Sequence, residues 1–234
     1  FRVLIRPSDS TKLTLGAEYQ NNLRQDQSNR DITGTWLDDR RKSANWGAYV
    51  QDEFALSENL LLNAGLRHDY FQSSGSTTNP RMALIYRPRE ATTWKFLYGS
   101  AFRAPNAFEL FYNDGGNTQK AGQNLKPETI KTAEIVLEQG LARGWFATAS
   151  LYHYQIENLI DQRVDPADNL LVYGNLDKVK AYGVELELDG KTEKGYEGRA
   201  SIAYQQNTNS TTGTMLTNSP RVQAKLNLIA PLTA

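Results

Sequence analysis

The sequence predicts an all-β protein, an antiparallel up-and-down transmembrane β-barrel, with about ten strands in this chain. Three observations carry that expectation. Apolar residues recur with a period of two along most of the chain, as on strands with one apolar and one polar face. The chain is polar, with a mean hydropathy of -0.58, yet it holds 12 Tyr, 8 Phe and 4 Trp, more rings than a disordered chain carries. The connections between strands alternate between long and short, which in an antiparallel meander sorts the long ones to one end.

A strand-like stub at 1–6 comes first. In the 11–20 strand, Leu13, Leu15, Ala17 and Tyr19 alternate with Thr14, Gly16, Glu18 and Gln20. The 45–56 strand sets Trp46, Ala48 and Val50 on one face, which Asp52 interrupts. In 60–71, Leu62, Ala64, Leu66 and Tyr70 oppose Asn63, Gly65, Arg67 and Asp69. Strands at 81–87, 92–102 and 129–138 follow, and 145–157 carries aromatic residues on both faces. In 180–189, Tyr182, Val184, Leu186 and Leu188 alternate with Gly183, Glu185 and Glu187. Strands at 198–206 and 221–229 complete the series, the last alternating Val222, Ala224, Leu226 and Leu228 with Gln223, Lys225 and Asn227. No segment shows a convincing helical period.

The connections read 21–44 long and charged, 57–59 tight, 72–80 Ser/Thr/Gly-rich, and 88–91 tight. Then 103–128 is long, 139–144 short, 158–179 long, 190–197 moderate and 207–220 long and polar. Transmembrane barrels show this asymmetry, whereas a soluble sandwich has no reason to sort its loops. The low hydropathy then follows, because lipid meets one face of each strand and a wet or plugged lumen the other. Arg67, Arg81, Glu185 and Lys225 become lumen residues. Tyr19, Trp46, Tyr70, Phe71, Tyr86, Trp94, Phe102 and Trp145 sit toward strand ends, where interfacial girdles lie. Aromatic residues also pack any β core, so that signal alone leaves a soluble β-rich binding domain open.

Composition excludes several classes of function. Lys and Arg number 26 against 26 Asp and Glu, which leaves no basic excess for nucleic acid. Without cysteine there is no disulfide, thiolate metal site or cysteine nucleophile. No apolar run approaches the length of a membrane-spanning helix, which leaves strand-based spanning open.

Several blocks give the chain a family likeness. Tyr49-Val50-Gln51-Asp52-Glu53-Phe54, Gly65-Leu66-Arg67-His68-Asp69-Tyr70 and Asn79-Pro80-Arg81 come first. Leu97-Tyr98-Gly99-Ser100-Ala101-Phe102-Arg103-Ala104-Pro105-Asn106 and Asn124-Leu125-Lys126-Pro127-Glu128 follow. Tyr182-Gly183-Val184-Glu185-Leu186-Glu187 and Asn218-Ser219-Pro220-Arg221 close the series. In this order, over roughly 45–228, they resemble the barrel of TonB-dependent outer-membrane receptors. The resemblance implies a barrel of about 22 strands around a plug, of which 1–234 would be a part lacking the plug and the C-terminal strands. A complete ten-stranded barrel is also geometrically allowed, but the stub at 1–6 argues against it. The stretch 230–234 reads as a periplasmic turn.

The resemblance further implies the bacterial outer membrane, contact with its lipid, and uptake of a ferric siderophore or similar scarce nutrient. Coupling to the TonB complex would run only through the plug. A passive porin-like or adhesin-like barrel is the alternative. The loop after Phe102 resembles one implicated in ligand capture, so Arg103, Asn106, Tyr112, Asn113 and Asp114 are the candidate ligand contacts. Arg103, Pro105 and Pro127 have a competing role in steering the chain out of and back into the sheet. Haem receptors of this family often place a histidine in the corresponding loop, and 106–124 has none. His68 and His153 read as strand residues rather than metal ligands. Asn113 to Asn117 reads as a glycine-rich turn rather than a calcium loop. Ser150 and His153, three apart on a strand, face opposite sides and build no catalytic triad. No enzyme activity, resident cofactor or metal is expected.

Overall fold

The computed structural model describes residues 1–122, 124–142 and 144–231, with backbone alone at 176 and 177. The elements are β1 (Arg2–Ser8), β2 (Thr11–Asn22), β3 (Gln27–Asp31), β4 (Gly34–Asp39), β5 (Ser43–Ser57), β6 (Leu60–Phe71) and β7 (Gly75–Arg89). They continue with β8 (Thr92–Arg103), α1 (Ala107–Phe111), β9 (Glu128–Ala142), β10 (Trp145–Val164), β11 (Leu171–Lys191), β12 (Glu197–Asn209) and β13 (Val222–Ile229). Among the described residues, eleven strands form one antiparallel meander, and the β3–β4 ribbon stands apart from it, inserted between β2 and β5. The sheet is not closed within this chain, since β1 and β13 are its two edges.

The architecture is the expected one, with five differences. The stub is a full strand paired to β2, with Val3 opposite Leu15, so eleven strands replace about ten. The connection 21–44 contains the β3–β4 ribbon. The Ser/Thr/Gly-rich 72–80 is mostly strand, because Phe71 pairs with Gly75 across a tight turn and Thr77 and Thr78 are β-branched. A five-residue helix, Ala107–Phe111, follows β8. β10 and β11, at 20 and 21 residues, exceed the roughly 9–11 that cross a bilayer. They absorb most of the connection read as 158–179. The expected 139–144 turn includes Arg143 and the expected terminal turn includes 232–234, all outside the described residues.

The two faces are inverted relative to a soluble core. On β6, Asp69 is 3% exposed and Leu66 47%. Ser150, Asn207, Val179 and Ala181 are buried on the same face as Asp69, while Leu151, Tyr182, Ile202 and Leu226 are exposed on the other. A curved sheet hides its concave side, so the polar face is the concave one. Arg67, Arg81, Glu185 and Lys225 lie on this face, as their registers with Tyr49, Gly99, Ser150 and Ser201 show. Cross-strand ion pairs line it, among them Lys12–Glu53 at 3.9 Å and Arg199–Asp189 at 2.7 Å. Aromatic rings are laid flat there: the Tyr49 ring occupies the space that a Cβ at Gly16 would take.

On the apolar face, Tyr86, Trp94 and Trp145 stand near the short-turn end, and Tyr19, Trp46 and Tyr70 near the long-connection end. Trp46 stacks on Tyr70, with ring centroids 6.1 Å apart. Phe71 and Phe102 depart from the girdle expectation, because their rings meet edge to face at 5.3 Å. They join strand tips past the point where the β7–β8 backbone ladder ends, at the Arg81–Gly99 pair.

Candidate functional site

The long-connection end is where the candidate residues gather. Beyond Arg103, Pro105 keeps the chain from continuing the sheet, and Asn106 caps α1. Its side chain accepts from the Glu109 N–H at 2.9 Å, while Glu109 Oε2 accepts from the Asn106 N–H at 2.8 Å. This reciprocal capping box satisfies two donors that a helix start leaves free. The pattern is legible as Asn106-Ala107-Phe108-Glu109, a helix signal too short to register as periodicity.

Arg103 ties this cap to two strands. Its Nη1 donates to Glu109 Oε1 at 2.8 Å. Its Nε and Nη2 donate to Glu128, at the start of β9, at 2.7 and 2.9 Å. Glu128 Oε1 also accepts from the Ile160 N–H of β10 at 2.7 Å. That contact follows from a bulge in β10, where Asn158 adopts a positive φ of 57°, a conformation asparagine tolerates. Leu110, Leu125 and Ile160 pack beneath, with Phe111 and Tyr173 against them.

The other candidates join this frame to the β3–β4 ribbon. Tyr112 OH accepts from Asn29 Nδ2 at 2.9 Å, and the Tyr112 ring stacks on Phe108 at 4.3 Å. Asn113 Oδ1 accepts from the Gly115 N–H at 3.3 Å. Trp36 lies against Gly115, whose φ of 76° suits glycine and whose missing Cβ makes room for the indole. Asp114 accepts from the N–H groups of Asn117, Thr118 and Gln119. Burial opposes its ionisation, but these donors and the Thr118 hydroxyl outweigh it and take the carboxyl down to about 2. In the ribbon turn, the Thr33 hydroxyl and Trp36 lower Asp31 to about 2. Arg41 sits 3.6 Å above the Phe111 ring centroid, a cation–π contact.

A third connection completes the cap. Lys120 donates to Asp165 at 2.5 Å and to Asp168 at 2.8 Å. These bonds raise the Lys120 pKa and lower both carboxyls. Gln119 bridges to Leu171 in parallel, and Gln162 Nε2 donates to Gln119 Oε1 at 3.0 Å. The ribbon, the 104–127 segment and the β10–β11 tip therefore form one interlocked plate. A cavity of about 390 Å³ opens between Gln25, Arg41, Ser43 and Phe71 on one side and Pro105 and Phe111 on the other.

All five sequence-predicted contacts come together, each with a partner inside the chain. The sequence singles out neither Asn29 nor Trp36, and Arg41 reads there only as part of the charged run 38–42, a solvated cluster or a contact to the polar membrane surface. Ser150 pairs with Glu185 on the polar face and His153 with Tyr182 on the apolar one, so the two stand on opposite sides. His68 lies on the apolar face beside Trp46 and hydrogen-bonded to Thr78 at 2.7 Å. Among the described residues no group of three His, Asp or Glu side chains converges on a metal-sized site.

Comparison with known proteins bears on this arrangement. Residues 4–232 match the family model described as TonB dependent receptor-like, beta-barrel. An iron-regulated outer membrane virulence protein of Vibrio cholerae is 26% identical over 219 residues, covering 86% of this chain and 33% of that protein. A vitamin B12 transporter, BtuB, of the same species is 37% identical over 136 residues, covering 58% of this chain and 21% of its own length. Among solved structures, a ferric enterobactin receptor (PfeA) mutant from Pseudomonas aeruginosa superposes with a TM-score of 0.80 at 20% identity. That superposition covers 99% of this chain and 38% of the receptor, and it bears on fold alone. The chain spans about a third of the length of the first of these relatives.

Proposed function

This chain belongs to the TonB-dependent receptor β-barrel family, and on that premise we propose that it forms part of the wall of an outer-membrane receptor that takes up a ferric siderophore or a similar scarce nutrient. In this reading the apolar face meets lipid, the polar face lines the lumen, and the interlocked plate stands on the extracellular side. The observation that carries it is the plate itself. Three connections are fastened together above a polar wall, and they present the exposed Phe108 ring and the Arg41 guanidinium on rigid supports.

Ligand capture needs contacts held in place before binding, since ordering flexible loops costs affinity. Arg103, Asn106, Asn113 and Asp114 serve here by holding the plate, and Tyr112 by placing its ring beside Phe108. Release would require TonB acting through a plug, with no covalent chemistry. The cargo separates the relatives, whose names cite iron regulation, vitamin B12 and ferric enterobactin. Mixed charge on the polar face favours no sign of ligand.

The test is titration of the full-length receptor with ferric siderophores, haem and cobalamin, followed by uptake in cells with and without TonB. Saturable binding of one class and TonB-dependent uptake are expected. Uptake that persists unchanged without TonB would point to a passive porin-like barrel instead.

A further inference from the structure

On the apolar face, successive rows across β9, β10, β11 and β12 can be read from the register. Ile135, Leu151, Val184 and Tyr204 form one row, and Ala133, His153, Tyr182 and Gln206 the next toward the plate. One further step brings Lys131, Gln155, Lys180 and Thr208 into line, and Glu157 and Lys178 lie beyond. The face thus changes from aliphatic to aromatic to cationic over three rows. Each row is about 7 Å along a strand, or about 5 Å in depth after strand tilt.

The charge is local. One step beyond Tyr19, Trp46 and Tyr70, the other half of the sheet carries Asn21, Ala44 and Gln72. Lys131, Lys178 and Lys180 are all exposed. Glu157 answers them only in part, lying 3.4 Å from Lys131 and 3.7 Å from Lys178. No partner for Lys180 appears among the described residues.

We propose that Lys131, Lys178 and Lys180 form a docking surface for the phosphate-bearing headgroup of an anionic lipid in the outer leaflet. This rests on the membrane-barrel reading above. Aromatic rings prefer headgroup depth, and lysines one row higher carry their ammonium groups to the phosphate level. Each cation near an anionic surface contributes to attraction over about a Debye length. Among the described residues Glu157 is the one carboxylate paired with these lysines, and the remaining positive charge is opposite in sign to a phosphate. It would also tie that sector of the wall to particular lipids.

The experiment places the full-length receptor in phosphatidylcholine nanodiscs, with or without diphosphoryl lipid A, and reads lipid retention by native mass spectrometry. The K131Q/K178Q/K180Q variant should retain lipid A roughly 10- to 100-fold more weakly than the parent. E157Q, which frees two lysines from their carboxylate, should retain it several-fold more strongly, an effect that loss of structure would not produce. Equal retention by parent and both variants would overturn the docking surface while leaving the barrel reading intact. Failure of the parent to enter neutral nanodiscs would overturn both.

Discussion

The guanidinium of Arg103 grips the carboxylate of Glu128 through two parallel hydrogen bonds, Nε to Oε2 at 2.7 Å and Nη2 to Oε1 at 2.9 Å. The same cation holds Glu109, the acidic member of the α1 capping box. Lysine keeps the charge but cannot reproduce the planar fork. Arg103→Lys is expected to loosen 104–112 and the Ile160 bulge together, and Glu128→Gln to do the same more weakly. The local cost should be roughly 1–3 kcal/mol, in the range of hydrogen bonds to charged groups. Hydrogen exchange of the full-length receptor would read this as faster exchange at Glu109, Leu110 and Ile160. Unchanged protection would show that the ion-pair frame does not order the plate.

How much of this was legible in the sequence depended on the kind of signal. The strands announced themselves through period two, which survives wherever one face is apolar, as in Tyr182 to Leu188. The plate did not, because its order comes from contacts between distant residues: Asn29 with Tyr112, Trp36 with Gly115, Lys120 with Asp165. Local composition at 21–44 and 158–179 reads as polar loop, and tertiary pairing overrides it. Arg103 was legible as a functional candidate from its block, yet the tie from its partner Glu128 to the Ile160 N–H needed the bulge at Asn158, which no spacing in the sequence marks.

Tyr49 and Gly16 are a matched pair across β2 and β5. A methyl at Gly16 would displace the ring, so Gly16→Ala should destabilise by about 1–3 kcal/mol, the usual cost of overpacking. In a Tyr49→Ala background the same change should cost much less, giving a clear coupling energy in the double-mutant cycle. Urea titration of the full-length receptor in detergent or lipid would measure it. Additive effects would mean that the ring is not held by the glycine.

Leu151 and Tyr152 are chain neighbours on opposite faces. Leu151 is 58% exposed on the apolar face, and Tyr152 OH bonds Gln205 at 3.3 Å on the polar one. Leu151→Lys is expected to reduce folding into vesicles by about 1–2 kcal/mol, as for a cation on the lipid side one row below the interface. Tyr152→Lys, beside Glu134 and Glu185 on the polar face, should cost far less. Equal penalties would contradict the assignment of lipid and lumen faces.

Lys120, Asp165 and Asp168 form a latch whose pH range follows from the direction of each shift. Both carboxyls are held below their ordinary 3.8, chiefly by hydrogen bonds from Lys120. Their contribution is therefore complete above 3.8 and is lost as pH falls through the depressed values. Lys120 is held above 10.5, chiefly by Asp165, so its contribution is complete below 10.5 and is lost as pH rises through the raised value. Asp114, at about 2, extends the acid limb further down. Between the two limits the latch should be insensitive to pH. Hydrogen exchange at 119–121 and 165–171, corrected for intrinsic rate, should thus stay level across the neutral range and rise on acidification below 3.8. Lys120→Met should exchange fast at neutral pH and lose most of the acid step at 165–171. The step at 114–119 should remain, because Asp114 is held by backbone donors rather than by the lysine. An acid step at 165–171 of equal size in both proteins would show that the carboxylates titrate independently of Lys120.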